Sequence, residues 1–316
     1  MVTILHASDI HFGEPYNPVV GEAFQAMAGT VGADLIVVSG DFTQRAKVHE
    51  YEAARRWLDA LPELPLVVTP GNHDVPVYRV LERLFQPYRN YRTWIADQLD
   101  SVTRIPGATV VSLNSTAPLR VIVNGRINRA QLAYAARVFQ ESDPDSARIV
   151  VAHHHFAPAS DYEGDTAMAG AREVLDALNQ MEVELVLGGH LHRAYIGNSL
   201  DVYPGQDREH GIVIVQSGTT TSRRGRAREQ ARNSFNVVRI AEDHLEITHF
   251  MYFEDIGRFA PFSMHAFPRR GGRYFPRDPF QSPMLLRQSD EAARGERPRA
   301  APPPEARPGV SREAAR

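Results

Sequence analysis

Cysteine is absent from the 316-residue sequence, lysine occurs only at position 47, and no apolar run approaches the roughly 20 residues of a membrane helix. Without cysteine the chain has no thiolate metal ligand, cysteine nucleophile or disulfide. A GxGxxG fingerprint, a P-loop and a G-x-S-x-G motif are also missing, which argues against dinucleotide binding, P-loop phosphate binding and serine hydrolysis. With 43% hydrophobic and 23% charged residues, the chain can still bury a substantial core.

The net charge of −3 hides an asymmetry between the two ends of the chain. Residues 269–316 contain eleven arginines and six acidic residues, a net charge of +5, so residues 1–268 carry −8. An acidic body argues against electrostatic capture of nucleic acid, so we do not expect a nucleic-acid partner. The first apolar stretch, residues 2–5, leads directly to Asp9 and His11. If these two residues carry chemistry, no room remains for a cleaved signal peptide, and we predict a cytoplasmic protein.

Apolar runs of strand length alternate with segments of helical periodicity along most of the chain. We predict strands over residues 2–7, 35–39, 66–69, 109–113, 148–152, 184–187, 212–216, 235–240 and 245–252, and helices over 18–31, 50–61, 78–99 with a break at Pro87, 130–140 and 171–181. This order predicts an α/β domain with a second sheet, which we assign to residues 1–268. Residues 269–316, rich in Arg, Pro and Ala, are predicted to be a flexible tail without a core of its own.

Five short polar clusters each follow a predicted strand. They are SDIH (8–11), GD (40–41), GNHD (71–74), HHH (153–155) and GGHLH (188–192). Taken singly, each has an ordinary explanation: Asp41 could cap a helix, and Gly71 with Asn72 could form a turn. In an open α/β sheet, however, the ligand crevice lies outside the carboxyl ends of the strands. The recurrence therefore predicts that Asp, His and Asn side chains meet at one place.

The types of side chain in these clusters indicate a metal site. Carboxylates, imidazoles and one amide, without sulfur, suit Mn²⁺, Fe, Zn²⁺, Co²⁺ or Ni²⁺ better than Ca²⁺ or Cu(I). Seven candidate ligands are too many for one ion with an open position, and they suit two ions that share a carboxylate. Two ions roughly 3.5–4 Å apart activate water and grip the attacking and leaving oxygens of a phosphoester.

In type and order, these clusters resemble the D-x-H, G-D, G-N-H-D/E, H and G-H-x-H motifs of the calcineurin-like metallophosphoesterases, over residues 2 to about 252. The resemblance implies a four-layer α/β/β/α sandwich of two mixed sheets and two divalent ions, such as Mn²⁺, Fe²⁺/Fe³⁺ or Zn²⁺. It implies that Asp9, His11 and His192 hold one ion, that Asn72, His153 and His190 hold the other, and that Asp41 bridges them. His154 is the alternative to His153.

The resemblance also implies two catalytic residues that are not metal ligands. His73 would lie beside the phosphate, stabilise developing charge and protonate the leaving oxygen. Asp74 would hold the other nitrogen of the His73 imidazole and fix its tautomer. A retromer-type scaffold would lack ligands that are all present here, which favours an enzyme.

Within the superfamily, the runs ILHASDIHFG, VVSGDFTQRA, VTPGNHDVP and QSGTTTSRRGR are similar to the bacterial class III cyclic-nucleotide phosphodiesterases. Purple acid phosphatases have tyrosine three residues after the bridging aspartate, where this chain has Gln44. Lipid A pathway hydrolases usually have arginine at the position of His73. We therefore expect hydrolysis of a small-molecule phosphodiester, with cyclic nucleotides as candidates. The alternatives are a phosphomonoesterase, a nuclease or protein phosphatase on the same metal core, and a noncatalytic metal-binding scaffold.

Substrate selection must come from the loops around the metals. Residues 219–232 carry five arginines, and we predict that Arg223 and Arg224 bind an anionic part of the substrate or of a partner. Arg45, four residues after Asp41, is a further candidate for phosphate contact. The alternative is that these arginines are solvated surface residues. The sequence gives no indication of the oligomeric state.

Overall fold

Two six-stranded mixed sheets form the centre of the molecule within residues 1–119, 125–158, 166–203 and 211–269, which the computed structural model describes. The strands are β1 Val2–Ala7, β2 Leu35–Val38, β3 Leu66–Val68, β4 Ser101–Ile105, β5 Ala108–Ser112, β6 Ala147–Val151, β7 Leu185–Gly188, β8 Tyr195–Asn198, β9 Val213–Gln216, β10 Ser234–Ile240, β11 His244–Phe253 and β12 Arg258–Pro268. The helices are α1 Pro18–Ala28, α2 Val48–Asp59, α3 Val80–Phe85, α4 Arg89–Trp94, α5 Arg129–Gln140, α6 Ala171–Gln180 and α7 Ser199–Val202, with 3₁₀ turns at Asn72–Asp74 and Ala227–Glu229.

Each sheet combines a run of parallel strands with antiparallel strands, which lie at one edge of the first sheet and at both edges of the second. The first sheet has the order β12-β11-β10-β1-β2-β3, in which β1, β2 and β3 are parallel. The second has the order β4-β5-β6-β7-β9-β8, in which β5, β6, β7 and β9 are parallel. Parallel strands are buried on both faces, which explains why β2 and β7 read as unbroken apolar runs. The polar clusters begin where these parallel strands end.

Three separate apolar clusters show the layering of the fold. One packs α1 and α2 against the first sheet, through residues such as Phe24 and Trp57. A second packs α5 and α6 against the other sheet, with Phe139 and Leu178 among its members. The third consists of strand residues from both sheets, such as Ile4, and lies between them. The expected four-layer α/β/β/α sandwich is confirmed.

Edge strands account for the main differences from the predicted elements. The strands β4, β8 and β12 were not predicted, and each lies at the edge of a sheet. Edge strands are covered on fewer sides, so β4 and β12 lack the continuous buried run that marks a central strand. The predicted break at Pro87 is confirmed, because α3 ends at Phe85 and α4 begins at Arg89.

The predicted tail begins at a residue that contacts the fold. Arg269 donates to both carboxylate oxygens of Glu184, at 2.6 and 3.0 Å, and to the carbonyl oxygen of Ala241 at 2.5 Å. Residues 270–316 lie outside the described residues, so the flexible tail stays a prediction. No helix among the described residues is long and apolar enough to cross a membrane. The cytoplasmic location also stays a prediction.

Candidate metal centre

The loops that follow the parallel strands run side by side and deliver the predicted residues to one place. The N–H of Asp9 donates to the carbonyl of Gly40 at 3.0 Å, and that of His11 to the carbonyl of Asp41 at 2.9 Å. In the second sheet, the N–H of Gly189 donates to the carbonyl of His153 at 3.0 Å. All seven predicted ligands face one cluster, and all but His190 are at least 92% buried.

One set of donor atoms converges from the loops after β1, β2 and β7. Asp9, His11, Asp41 and His192 each place a ligand atom within 4.8 Å of the others. His11 Nε2 lies 3.0 Å from His192 Nε2, and His192 Nε2 lies 3.1 Å from Asp9 Oδ1. Ligand atoms about 2.1 Å from one ion, at tetrahedral or octahedral angles, lie about 3.0–3.4 Å apart. These four residues have the spacing that could hold one ion.

A second set adjoins the first and shares Asp41. Asn72 Oδ1 lies 3.1 Å from His153 Nε2 and 2.9 Å from His190 Nδ1. His153 Nε2 lies 3.4 Å from Asp41 Oδ2, and the same oxygen lies 3.6 Å from His11 Nε2 in the first set. Asp41 Oδ2 is therefore the atom between the two sets, the position that a bridging ligand requires.

The two carboxylates in the cluster share one hydrogen-bonding pattern. Asp9 Oδ2 accepts the N–H of His190 at 2.9 Å, and Asp41 Oδ1 accepts the N–H of His73 at 2.8 Å. The other oxygen of each, Asp9 Oδ1 and Asp41 Oδ2, is buried and accepts no hydrogen bond. Leaving a buried anionic oxygen without a partner is costly. These two oxygens, which face imidazole nitrogens, fit the coordination of cations.

The electrostatics of the cluster suit cation binding. Burial opposes ionisation of Asp9 and Asp41, yet the imidazoles beside them, His192 and His153 respectively, hold the pKa of each carboxyl well below its usual value. Burial lowers the pKa of His11 to about 4, so its imidazole is neutral, as a metal ligand must be. Burial also disfavours a charge on His153, but Asp41 raises the pKa of this imidazole to about 9. In the metal-free protein a proton on His153 thus takes the place of a cation beside Asp41.

The backbone of the cluster is strained at the candidate ligands. Five of them adopt left-handed backbone conformations with φ between 52° and 75°: Asp9, His11, Asp41, His190 and His192. Such conformations cost of order 1–3 kcal/mol each and concentrate at functional sites. Gly40 also has a positive φ, of 99°, and a Cβ at this position would lie 2.6 Å from His153 Nδ1. The close approach of the loop to the imidazole therefore requires glycine here.

Backbone carbonyls orient two of the imidazoles. His153 Nδ1 lies 2.8 Å from the carbonyl oxygen of Ser39, and His192 Nδ1 lies 3.1 Å from that of Arg224. A carbonyl only accepts hydrogen bonds, so in each ring Nδ1 carries a proton and Nε2 faces the cluster. His154, the alternative to His153, instead places Nδ1 2.8 Å from Ser115 Oγ, whereas Nε2 of His153 lies 3.1 Å from Asn72 Oδ1 and 3.4 Å from Asp41 Oδ2. The geometry favours His153.

His73 lies beside the cluster, but the predicted contact of its imidazole with Asp74 is wrong. The His73 ring packs edge-on against His11, with 4.9 Å between ring centroids, and its Nδ1 lies 2.8 Å from the carbonyl oxygen of Gln44. Asp74 is the last residue of the 3₁₀ turn, and its carboxylate contacts the backbone of the Asp41 loop instead of the His73 ring. That carboxylate accepts the N–H groups of Phe42, Thr43 and Gly71 and so satisfies three buried backbone donors.

The three arginines predicted to bind substrate differ in position. The Nη1 atom of Arg224 lies 3.0 Å from His73 Nε2 and donates to Gln44 Oε1 at 2.9 Å, at the edge of the cluster. Arg223 is exposed, and its N–H donates to the carbonyl of Pro15 in a neighbouring loop. Arg45 is also exposed, with its guanidinium 5.9 Å from the ring centroid of Tyr78.

The sequence did not indicate the supporting role of Gln44 or the orienting carbonyls of Ser39 and Arg224. Backbone carbonyls leave no sequence signal, because every residue has one. In the sequence, Gln44 stands out only because purple acid phosphatases have tyrosine at this position. Its distance of three residues from Asp41 is the one signal that places it beside the cluster.

Comparisons with known proteins agree with this geometry. The family model of the calcineurin-like phosphoesterases matches residues 2–194, more than half of the chain. A Synechococcus protein named "probable cyclic nucleotide phosphodiesterase" is 28% identical over 181 residues, which span 54% of this chain and 63% of that protein.

Two solved structures are similar in fold. A purple acid phosphatase from yellow lupin seeds has a TM-score of 0.62 at 12% identity, over 85% of this chain and 54% of that one. A dimetal phosphatase from Danio rerio has a TM-score of 0.55 at 12% identity, over 84% and 98%. At such low identity these likenesses concern the fold alone. Because the family model matches more than half of the chain, and the polar cluster has the arrangement described above, the chain belongs to the calcineurin-like phosphoesterase family.

Proposed function

We propose that this protein is a binuclear metal-dependent phosphodiesterase that acts on a small molecule, with 3′,5′-cyclic nucleotides as the first substrates to test. One observation carries the proposal: two adjoining donor sets meet at one buried carboxylate oxygen that accepts no hydrogen bond, Asp41 Oδ2. A structural metal site is closed around one ion, whereas two ions sharing a bridge are suited to displacement at phosphorus.

In this proposal, Asp9, His11 and His192 would hold one divalent ion, Asn72, His153 and His190 would hold the other, and Asp41 would be their shared ligand. When bound, the two ions would lower the pKa of a water molecule and neutralise charge on the phosphoryl oxygens. The neutral imidazole of His11 and the ionised carboxylates of Asp9 and Asp41 provide donor forms that Mn²⁺, Fe or Zn²⁺ requires, and His153 would release its Nε2 proton when an ion binds.

His73 is proposed to assist departure of the leaving group. Hydrolysis forms a bond from the oxygen of water to phosphorus and breaks the bond to the ester oxygen, which must then take a proton. The carbonyl of Gln44 keeps a proton on Nδ1 of His73, so Nε2 is the nitrogen that faces the cluster. The attacking water would release one proton to the solvent, and a proton taken up from the solvent by Nε2 would be in position for transfer to the ester oxygen. Such acid catalysis contributes about 10²–10⁴-fold.

The choice of a diester rests on resemblance. The Synechococcus relative is named as a cyclic nucleotide phosphodiesterase, and the runs around Asp9, Asp41 and His73 are similar to class III cyclic-nucleotide phosphodiesterases. The matched part spans less than two thirds of that relative, so its activity comes to this chain only as a proposal. The acidic charge of residues 1–268 agrees with a small substrate better than with a nucleic acid.

The proposal is tested by measuring hydrolysis of bis-p-nitrophenyl phosphate and p-nitrophenyl phosphate with Mn²⁺ or with chelator, before cyclic nucleotides are tried. We expect Mn²⁺-dependent cleavage, faster for the diester. The His73→Ala variant should lose about 10²–10⁴-fold in kcat. His49→Ala is the matched control, because His49 is exposed on α2, and it should retain full activity.

Other outcomes would change the assignment. Faster cleavage of the monoester would make the protein a phosphomonoesterase or a protein phosphatase. If the protein binds two ions but cleaves neither ester and no cyclic nucleotide, it is a noncatalytic scaffold and the proposal is contradicted.

A further inference from the structure

A loop that follows β9 is fixed to the first donor set by buried hydroxyl groups. Thr219 Oγ1 donates to the carbonyl of Asp9 at 2.7 Å, and Thr221 Oγ1 donates to the carbonyl of Ile10 at 2.9 Å. Both threonines are at most 1% exposed. Ser222 Oγ lies 2.6 Å from Thr219 Oγ1 and accepts the N–H of Arg224 at 3.4 Å. The loop that carries Arg224 is therefore fixed to the chain segment that delivers Asp9.

Arg224 contacts the candidate site through both its backbone and its side chain. Its carbonyl accepts Nδ1–H of His192, and its Nη1 lies between His73 Nε2 and Gln44 Oε1. Nη1 makes both of the guanidinium contacts among the described residues, so Nη2 and Nε are available for a ligand. Burial lowers the pKa of Arg224, while Asp41 and Asp9 oppose that shift, which places this cation close to the anionic cluster.

We propose that Arg224 is a substrate-binding residue that leaves His73 and binds a phosphoryl oxygen when a phosphoester enters the site. This inference rests on the proposed function. The guanidinium donates to a neutral imidazole and a neutral amide in the free protein, and charge-assisted bonds to a phosphate are roughly twice as strong as such contacts. The exchange also releases His73 Nε2, which cannot act on the leaving oxygen while Arg224 occupies it.

The first test compares Arg224→Gln and Arg224→Lys with Arg232→Gln. Arg232 is an exposed arginine of the same loop, so its variant reproduces the change in charge without touching the site. We would measure KM and kcat for bis-p-nitrophenyl phosphate with Mn²⁺, and the inhibition constant of inorganic phosphate. Loss of a hydrogen bond between charged groups predicts that KM and the phosphate inhibition constant rise about 10- to 100-fold in Arg224→Gln. Arg224→Lys should recover part of the loss, and Arg232→Gln should match the wild type.

A second variant tests the exchange without removing Arg224. In Gln44→Glu, a carboxylate replaces the amide that receives Nη1, so it should retain the guanidinium and weaken phosphate binding about tenfold. The backbone carbonyl that orients His73 is unchanged in this variant.

These measurements separate the two proposals. If wild-type protein hydrolyses the diester with Mn²⁺ but Arg224→Gln behaves like Arg232→Gln in KM and in phosphate inhibition, the role of Arg224 is refuted and the phosphodiesterase stands. An unchanged phosphate inhibition constant in Gln44→Glu would refute the exchange. If the wild type hydrolyses nothing, the proposed function itself fails.

Discussion

The corrected role of Asp74 leads to a prediction about stability. Its carboxylate accepts the N–H groups of Phe42 at 3.2 Å, Thr43 at 2.9 Å and Gly71 at 2.9 Å, and the hydroxyl of Thr43 at 3.0 Å. It therefore joins the loop that carries Asp41 to the loop that carries Asn72. The side chain is 1% exposed, so water does not replace these bonds easily.

The size of the effect follows from the number of donors left without a partner. Asp74→Ala leaves three buried N–H groups unsatisfied, and each costs about 1–3 kcal/mol. Since such costs are not fully additive, we expect the free energy of unfolding to fall by about 3–5 kcal/mol. Burial, reinforced by Asp41, raises the pKa of Asp74 to about 7, so the charged form is not strongly favoured there. Asp74→Asn keeps one acceptor oxygen and should cost about half as much.

Urea unfolding of the metal-free protein, followed by circular dichroism, measures this loss, and steady-state kinetics on the diester measures the effect on catalysis. If Asp74 only oriented the His73 imidazole, kcat would fall while stability stayed within about 0.5 kcal/mol of the wild type. The structure instead predicts that the main effect of Asp74→Ala is a loss of stability. An Asp74→Ala variant that is as stable as the wild type would refute the reasoning.

Three further predictions concern the buried residues around the site. Burial lowers the pKa of His6 from 6.5 to about 3 in the folded protein. Between these two pH values the unfolded chain binds a proton on His6 that the folded protein does not, so the free energy of unfolding decreases as pH falls through this range. Relative to His6→Gln, wild-type protein should lose about 1.4 kcal/mol per pH unit below pH 6 in urea unfolding, and parallel pH profiles would contradict this. Gly40→Ala should displace His153 and lower the Mn²⁺ content measured by elemental analysis, whereas an unchanged content would show that the loop can relax. Metal-free His11→Gly should be about 1 kcal/mol more stable than His11→Ala, because only glycine adopts φ 52° without strain, and equal melting curves would refute that strain.

The sequence was sufficient to predict the central architecture and the members of the cluster, for a physical reason. Parallel strands such as β2 and β7 are buried on both faces, so they are continuous apolar runs, and Asp41 and His190 stand just beyond their ends. The carboxyl ends of such strands meet, which allows local motifs to predict a distant contact such as that between Asn72 and His153.

Other features depend on tertiary contacts that have no local signal. The edge strand β12 exposes alternate residues such as Phe262 and Met264 and lacks the pattern of a buried strand. The contact of Asp74 with Phe42 and Thr43, instead of with the adjacent imidazole, depends on how two loops pack. The difference between Arg224 and Arg223 likewise depends on the path of one loop, because the two residues are adjacent and of the same type.

Metal content is the most direct test of the central claim that the cluster holds two ions. Metal-free protein would be equilibrated with Mn²⁺ and freed of excess, and the bound metal per chain would be measured by inductively coupled plasma mass spectrometry. We expect two ions per chain in the wild type and fewer than two in Asp41→Ala, since Asp41 Oδ2 lies between the two donor sets. A wild-type content of one ion or none, at saturating Mn²⁺, would contradict the binuclear centre.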